Sequence, residues 1–138
     1  MPMPQSDYVT FLTPAGLAAA GYTPLVSVRG GTTIYLSGQV ALDASGALVG
    51  RGDFRAQAQQ VFANLKTALA AAGTDFSQVI KLNLFLLDRA NLPILREVRD
   101  QYVNTAQPPT STLLIVAGLA REDFLLEVEA IAFLPDAG

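Results

Sequence analysis

Apolar residues recur along this chain with two different periods, and the points where the period changes divide it into elements. Tyr8 to Leu12 alternates as a short strand and stops at Pro14. Leu25–Val28 and Thr32–Leu42 (TTIYLSGQVAL) are rich in β-branched and aromatic residues and predict two strands joined as a hairpin across Gly30 and Gly31. Asp43–Gly46 (DASG) is a turn, after which Ala47 to Val49 returns briefly. The period then lengthens. Phe54, Ala58, Val61, Phe62, Leu65, Leu69 and Ala72 fall on one helical face, with Asp53 placed as N-cap and Gly73 as terminator. Val79–Leu87 (VIKLNLFLL) alternates again. Asn91 and Pro93 open a second helix running to about Asn104, and the prolines at 108 and 109 precede two last strands, Ser111–Val116 and Phe124–Leu134.

Strands, helix, strand, helix and two strands fit a two-layer α+β domain, a mixed sheet with two helices on one face. The last strand predicts what the other face meets. In LLEVEAIAFL, Leu126, Val128, Ala130 and Ala132 take one side, while Glu127 and Glu129 share the other with Leu125, Ile131 and Phe133. A face that is apolar at both ends and acidic in the middle is unsuited to water alone. If the helices cover the Leu82/Leu84 side, then Phe85, Leu87, Ile131 and Phe133 need a cover, and self-association supplies one.

Composition strengthens that expectation. Hydrophobic residues make up 51% of the 138 and charged residues 15%, against about 25% in an average chain, which leaves little polar material to coat a monomer. The net charge of −3, with nine basic residues scattered along the sequence, offers no basic stripe, so nucleic acid is not an expected partner. No stretch is long and apolar enough to span a membrane, and MPMPQSDY lacks the basic start and apolar core of a signal peptide, so a cytoplasmic chain is expected. The chain has no His and no Cys. That removes Ser-His-Asp and Cys-His nucleophilic systems and the commonest zinc sites, and no clustered Asp/Glu spacing suggests a carboxylate metal site. No metal or other cofactor is expected; catalysis would rest on carboxylates, Lys, Arg, Tyr, hydroxyls, backbone groups or water.

YLSGQV in the early strand, NLKTALAAAGTDFSQVIKLNLFLLD in the middle and LLEVEAIAFL at the end together resemble the reactive intermediate deaminase family (Rid, also called YjgF or L-PSP endoribonuclease). The resemblance runs from about Tyr22 to Leu134, and residues 1–138 are expected to form a single Rid-type domain. It implies a chorismate-mutase-like fold, a homotrimer with ligand clefts between subunits, a small-molecule metabolite as ligand, and hydrolysis of reactive enamines and imines, such as 2-aminoacrylate, to a keto acid and ammonia. Carried over by position, Glu127 matches the first Glu of the closing E-x-E segment, which is proposed to hold the attacking water. Ser37 and Gly38 match the SGQ stretch of the same cleft, and Tyr22 its N-terminal tyrosine.

One position departs from the pattern. Deaminating members carry an Arg before the Ser of the loop that here reads PPTST, and that Arg grips the substrate carboxylate; this chain has Thr110. Losing a bidentate guanidinium–carboxylate contact costs about 2–5 kcal/mol, so the ligand lacks that carboxylate, another cation replaces the Arg, or turnover is weak. Arg96 is one candidate cation, and a solvated helix Arg pairing with Asp100 is its structural alternative. Arg99 and Arg121 are others. Thr110, Ser111 and Thr112 either cap a strand entry or offer hydroxyls and amides to an anion. Glu127 and Glu129 could instead pair with Lys81 across the sheet, and neither Lys66 nor Lys81 is marked as a Schiff-base lysine. A non-catalytic ligand-binding trimer is the alternative function, and a ribonuclease a distant third.

Overall fold

A computed structural model describes residues 8–18 and 20–136. The MPMPQSDY segment lies outside them except for Tyr8. Among the described residues six strands and two full α-helices follow in the order β1 (Val9–Leu12), β2 (Leu25–Val28), β3 (Thr32–Gln39), α1 (Phe54–Ala71), β4 (Val79–Leu86), α2 (Leu92–Asp100), β5 (Thr110–Ile115) and β6 (Leu126–Leu134). Four form one mixed sheet in the order β3-β6-β4-β5, and β1 and β2 form a separate antiparallel pair. β4 and β5 run parallel, which requires a crossover, and α2 supplies it. This is the expected α+β architecture.

The core lies between the helices and one sheet face. Helix α1 buries Phe54, Ala58, Val61, Phe62, Leu65 and Leu69, and α2 buries Leu95 and Val98. The sheet meets them with Leu82, Leu84 and Leu86 of β4 and with Leu126, Val128, Ala130 and Ala132 of β6. Each fully buried Leu contributes about 1.5–3 kcal/mol, so the alternation of β4 and β6 fixes which face is inward. Asp53 caps α1 through its side chain, which accepts from the Ala56 amide at 3.1 Å.

The structure corrects several expectations. Leu25–Val28 and Thr32–Leu42 do not form a hairpin. β2 pairs with β1, and β3 pairs with β6 far along the chain. Gly30 and Gly31 adopt φ of 67° and 70°, and Gly31 sits so close to the Leu134 carbonyl that a Cβ there would lie 2.6 Å from its oxygen. The glycines therefore steer the chain from the small sheet onto the large one. β3 ends at Gln39 rather than Leu42, after a register shift between Leu36 and Gln39, and Leu42 makes only an isolated bridge to Leu48. Helix α2 stops at Asp100, short of Asn104. The open sheet face needs less cover than expected: Phe133 is 1% exposed within the protomer, and Leu125 packs against the core instead of standing beside Glu127.

Candidate functional site

The open face of the large sheet collects most of the polar residues singled out in the sequence. Leu36 pairs with Ala130 and Gln39 with Val128, so Ser37 and Gly38 together stand opposite Glu129 as a β-bulge. The bulge brings β3 against the Glu127 side chain. A Cβ added to Gly38 would fall on the Glu127 Oε1, with Cδ 2.9 Å and Cγ 3.1 Å away. Gly38 has no positive φ, so close approach of the carboxylate is what the glycine permits. The structure thus brings Ser37, Gly38 and Glu127 together.

The rest of that face is a polar belt across β6, β4 and β5. Asn83 Nδ2 donates to Glu129 Oε1 at 3.0 Å, and these two line a depression of about 310 Å³ with Tyr35, Ser37 and Ile131. Lys81 pairs in register with Thr110, and its Nζ donates to the Thr112 Oγ1 at 2.8 Å. The Thr110 hydroxyl donates to the Ile80 carbonyl, so it is turned into the sheet ladder. Asn83, Lys81 and Tyr35 were not among the expected site residues. Their signal was present in the alternation, because Lys81 and Asn83 have the parity of the face that carries the two glutamates.

A second group lies behind the sheet. Ser111 pairs with the buried Leu82, so alternation sends it to the helix side while Thr110 and Thr112 take the open side. There Ser111 lines a cleft of about 180 Å³ with Tyr22, Arg96, Arg99, Leu84, Leu95 and Leu113. The Tyr22 hydroxyl donates to the Ala18 carbonyl at 3.3 Å. Among the described residues no carboxylate lies within 4 Å of Arg96, and its expected partner Asp100 is taken by Arg99, Nη2 to Oδ1 at 2.9 Å. Arg121 pairs with Asp123 at 2.7 Å and stacks on the Phe124 ring, 4.7 Å from its centroid, which fixes it structurally. The Arg121 hydrogen bond holds the Asp123 carboxyl below its ordinary value.

Within one protomer the two groups do not meet. Glu127 pairs with Phe85, four residues along β4 from Lys81, which separates those backbone positions by roughly 13 Å at about 3.4 Å per residue. Arg96, Tyr22 and Ser111 are separated from Glu127 by the thickness of the sheet. β5 and β3 are the two edge strands of that sheet, and β5 carries Thr110, Ser111 and Thr112. Among the described residues no three acidic side chains converge as a metal site, and no helix is long and apolar enough to cross a membrane.

Comparison with known proteins bears on the family and the fold. The family model described as Endoribonuclease L-PSP matches residues 13–134. The chain is 38% identical over 115 residues to Protein DfrA of Myxococcus xanthus, covering 83% of this chain and 86% of that one. It is 36% identical over 120 residues to the 2-iminobutanoate/2-iminopropanoate deaminase of Mus musculus, covering 87% and 86%. A solved structure from Yersinia pestis, a protein of unknown function of the conserved Rid family called YyfB, superposes with a TM-score of 0.86 at 32% identity, over 92% of this chain and 99% of that one.

Proposed function

This chain belongs to the Rid (YjgF, endoribonuclease L-PSP) family, and from that premise we propose that it hydrolyses small imines or enamines to a carbonyl compound and ammonia, in clefts formed between the copies of a homotrimer. The observation that carries this reading is the packing of the Glu127 carboxylate onto Gly38, which joins the two family segments at one point of the open face. Several relatives are named as 2-iminobutanoate/2-iminopropanoate deaminases, which supports the reaction class.

In the proposed mechanism Glu127 accepts a proton from water as the water oxygen bonds to the imine carbon. It passes that proton to the nitrogen, which takes the C=N π pair, to give a carbinolamine. The carboxylate then takes the carbinolamine hydroxyl proton and delivers it to the amino nitrogen as the C=O bond forms, the C–N bond breaks and ammonia leaves. Gly38 leaves the carboxylate room, and Ser37 orients the ligand beside it. Tyr22 and Ser111, with Thr110 and Thr112 across the edge strand, contribute the remaining contacts from a neighbouring copy. The separations within a protomer support a shared site, since no ligand of three to five carbons spans the sheet.

Ammonia release from an imine generated in situ tests the reading. Wild type is expected to accelerate it over buffer, and Glu127→Ala to lose about 10²–10⁴-fold, the usual contribution of a general base. No acceleration with several imines would defeat the catalytic claim. A second reading, a ligand-binding trimer without turnover, is favoured by Thr110, which stands where deaminating relatives place an Arg and turns its hydroxyl to Ile80. Stabilisation by a keto acid without ammonia release would select it.

A further inference from the structure

We propose that Lys81 holds the anionic end of the ligand, in the space that Thr110 leaves on β5. The two residues are direct register partners on adjacent strands and share the open face. Lys81 leans over β5 and places its Nζ 2.8 Å from the Thr112 hydroxyl, two residues beyond Thr110. An ammonium carries three donors, and the contact recorded for this one is a neutral hydroxyl. Among the described residues no carboxylate lies within 4 Å of it. Across the belt, Glu129 is engaged by Asn83 on the far side of β4. Thr110 itself turns its hydroxyl to the Ile80 carbonyl and not toward Lys81.

Arg96 fits this role less well, because it stands on the helix side of the sheet, behind Ser111. Lys81 faces the same way as the carboxylates that would act on the ligand, and the distance to Glu127 assigns the two to different copies of one shared site. Replacing a planar guanidinium fork by a point charge also changes what is recognised. An ammonium on a flexible stem selects charge without demanding a planar acceptor, so phosphonate analogues should bind nearly as well as carboxylates.

The inference rests on the proposed hydrolase site for its kinetic arm only; a binding arm decides it separately. In the binding arm, pyruvate is added to wild type, Lys81→Met, Lys81→Arg and Arg96→Met, and the midpoint of thermal unfolding is followed, with methyl pyruvate as the uncharged control. Pyruvate is expected to stabilise wild type, Lys81→Arg and Arg96→Met but not Lys81→Met, while methyl pyruvate treats all four alike. In the kinetic arm, Lys81→Met should raise KM for 2-iminopropanoate about tenfold to a hundredfold, the range for a hydrogen bond to a charged group, with kcat changed much less. A wild-type protein that binds pyruvate without turning over any imine would defeat the hydrolase reading and leave Lys81 decided by the shifts. Undiminished stabilisation of Lys81→Met, loss confined to Arg96→Met, or no stabilisation of wild type would each overturn the assignment.

Discussion

Gly38→Ala separates placement of the Glu127 carboxylate from stability. The backbone at Gly38 lies outside the left-handed region, so alanine brings little strain of its own. Its new Cβ would overlap the Glu127 Oε1 and stand 2.9 Å from Cδ. To reach an ordinary contact of about 3.5 Å, the carboxylate carbon must retreat by about 0.5 Å and the oxygen by about twice that. The obstacle is the end of a flexible side chain, so a shift off the preferred rotamer, at about 0.5–1.5 kcal/mol, relieves it. That corresponds to a fall of only a few degrees in Tm for a chain of this size. Catalysis is far less tolerant, since misplacing a reacting group by about 1 Å costs on the order of 10²-fold. The assay is kcat for imine hydrolysis beside Tm, with Gly118→Ala as control, because a Cβ there meets nothing within 4 Å. An alanine variant that keeps kcat within a factor of two would show that the carboxylate on Gly38 does not act on the reaction.

Asp53→Ala should remove about 1 kcal/mol in urea denaturation through loss of the α1 cap, with ammonia release unchanged. Gln57→Ala should cost about 2–4 kcal/mol in the same measurement, because this fully buried amide donates to the Gly50 and Asp123 carbonyls at 3.0 and 2.8 Å and accepts from the Leu125 amide at 2.9 Å; the Gly50 carbonyl keeps the Asp53 amide, but the Asp123 carbonyl and the Leu125 amide are left unpaired, and a loss under about 0.5 kcal/mol would refute that account. Below about pH 4 stability should fall. The Ser45 hydroxyl lowers Asp43 and Arg55 lowers Glu97 from ordinary values of 3.8 and 4.5, so both favour the folded state above those values and lose that effect as pH drops through the still lower folded ones. Accordingly, the stability gap between wild type and Asp43→Asn should narrow between about pH 5 and pH 2.

The elements legible in the sequence were those set by local periodicity. Helix α1 announces itself by seven apolar positions and a capping Asp, and β4 and β6 by strict alternation, so the inward face could be named from residues alone. Strand pairing is a long-range property, and it failed where turn chemistry was the only guide. Gly30 and Gly31 look like a hairpin turn, yet β3 gains more by joining the central sheet through β6, where Leu36 and Ile34 reach the core, than by closing on β2. The same reasoning explains why Gln57 went unnoticed: nothing in a helical heptad signals that a polar side chain is needed to bind three loop backbone groups.

The site follows that division. Glu127 and Gly38 were singled out by motif, and the fold gives the physical reason for their close approach at the bulge of β3. Motif matching treats PPTST as one unit, however, whereas a strand cannot present three consecutive side chains to one ligand. Thr110 and Thr112 face the open side with Lys81 and Asn83, and Ser111 faces Arg96 and Tyr22. Residues gathered by a linear motif are thereby divided between two surfaces, and the proposed shared site would reunite them where the edge of β5 meets the open face of another copy. A cation adjacent in register to Thr110, Lys81, is accordingly proposed over one adjacent in a helical alignment, Arg96. Sheet parity, which the sequence already displays, is the criterion that separates Lys81 from Arg96.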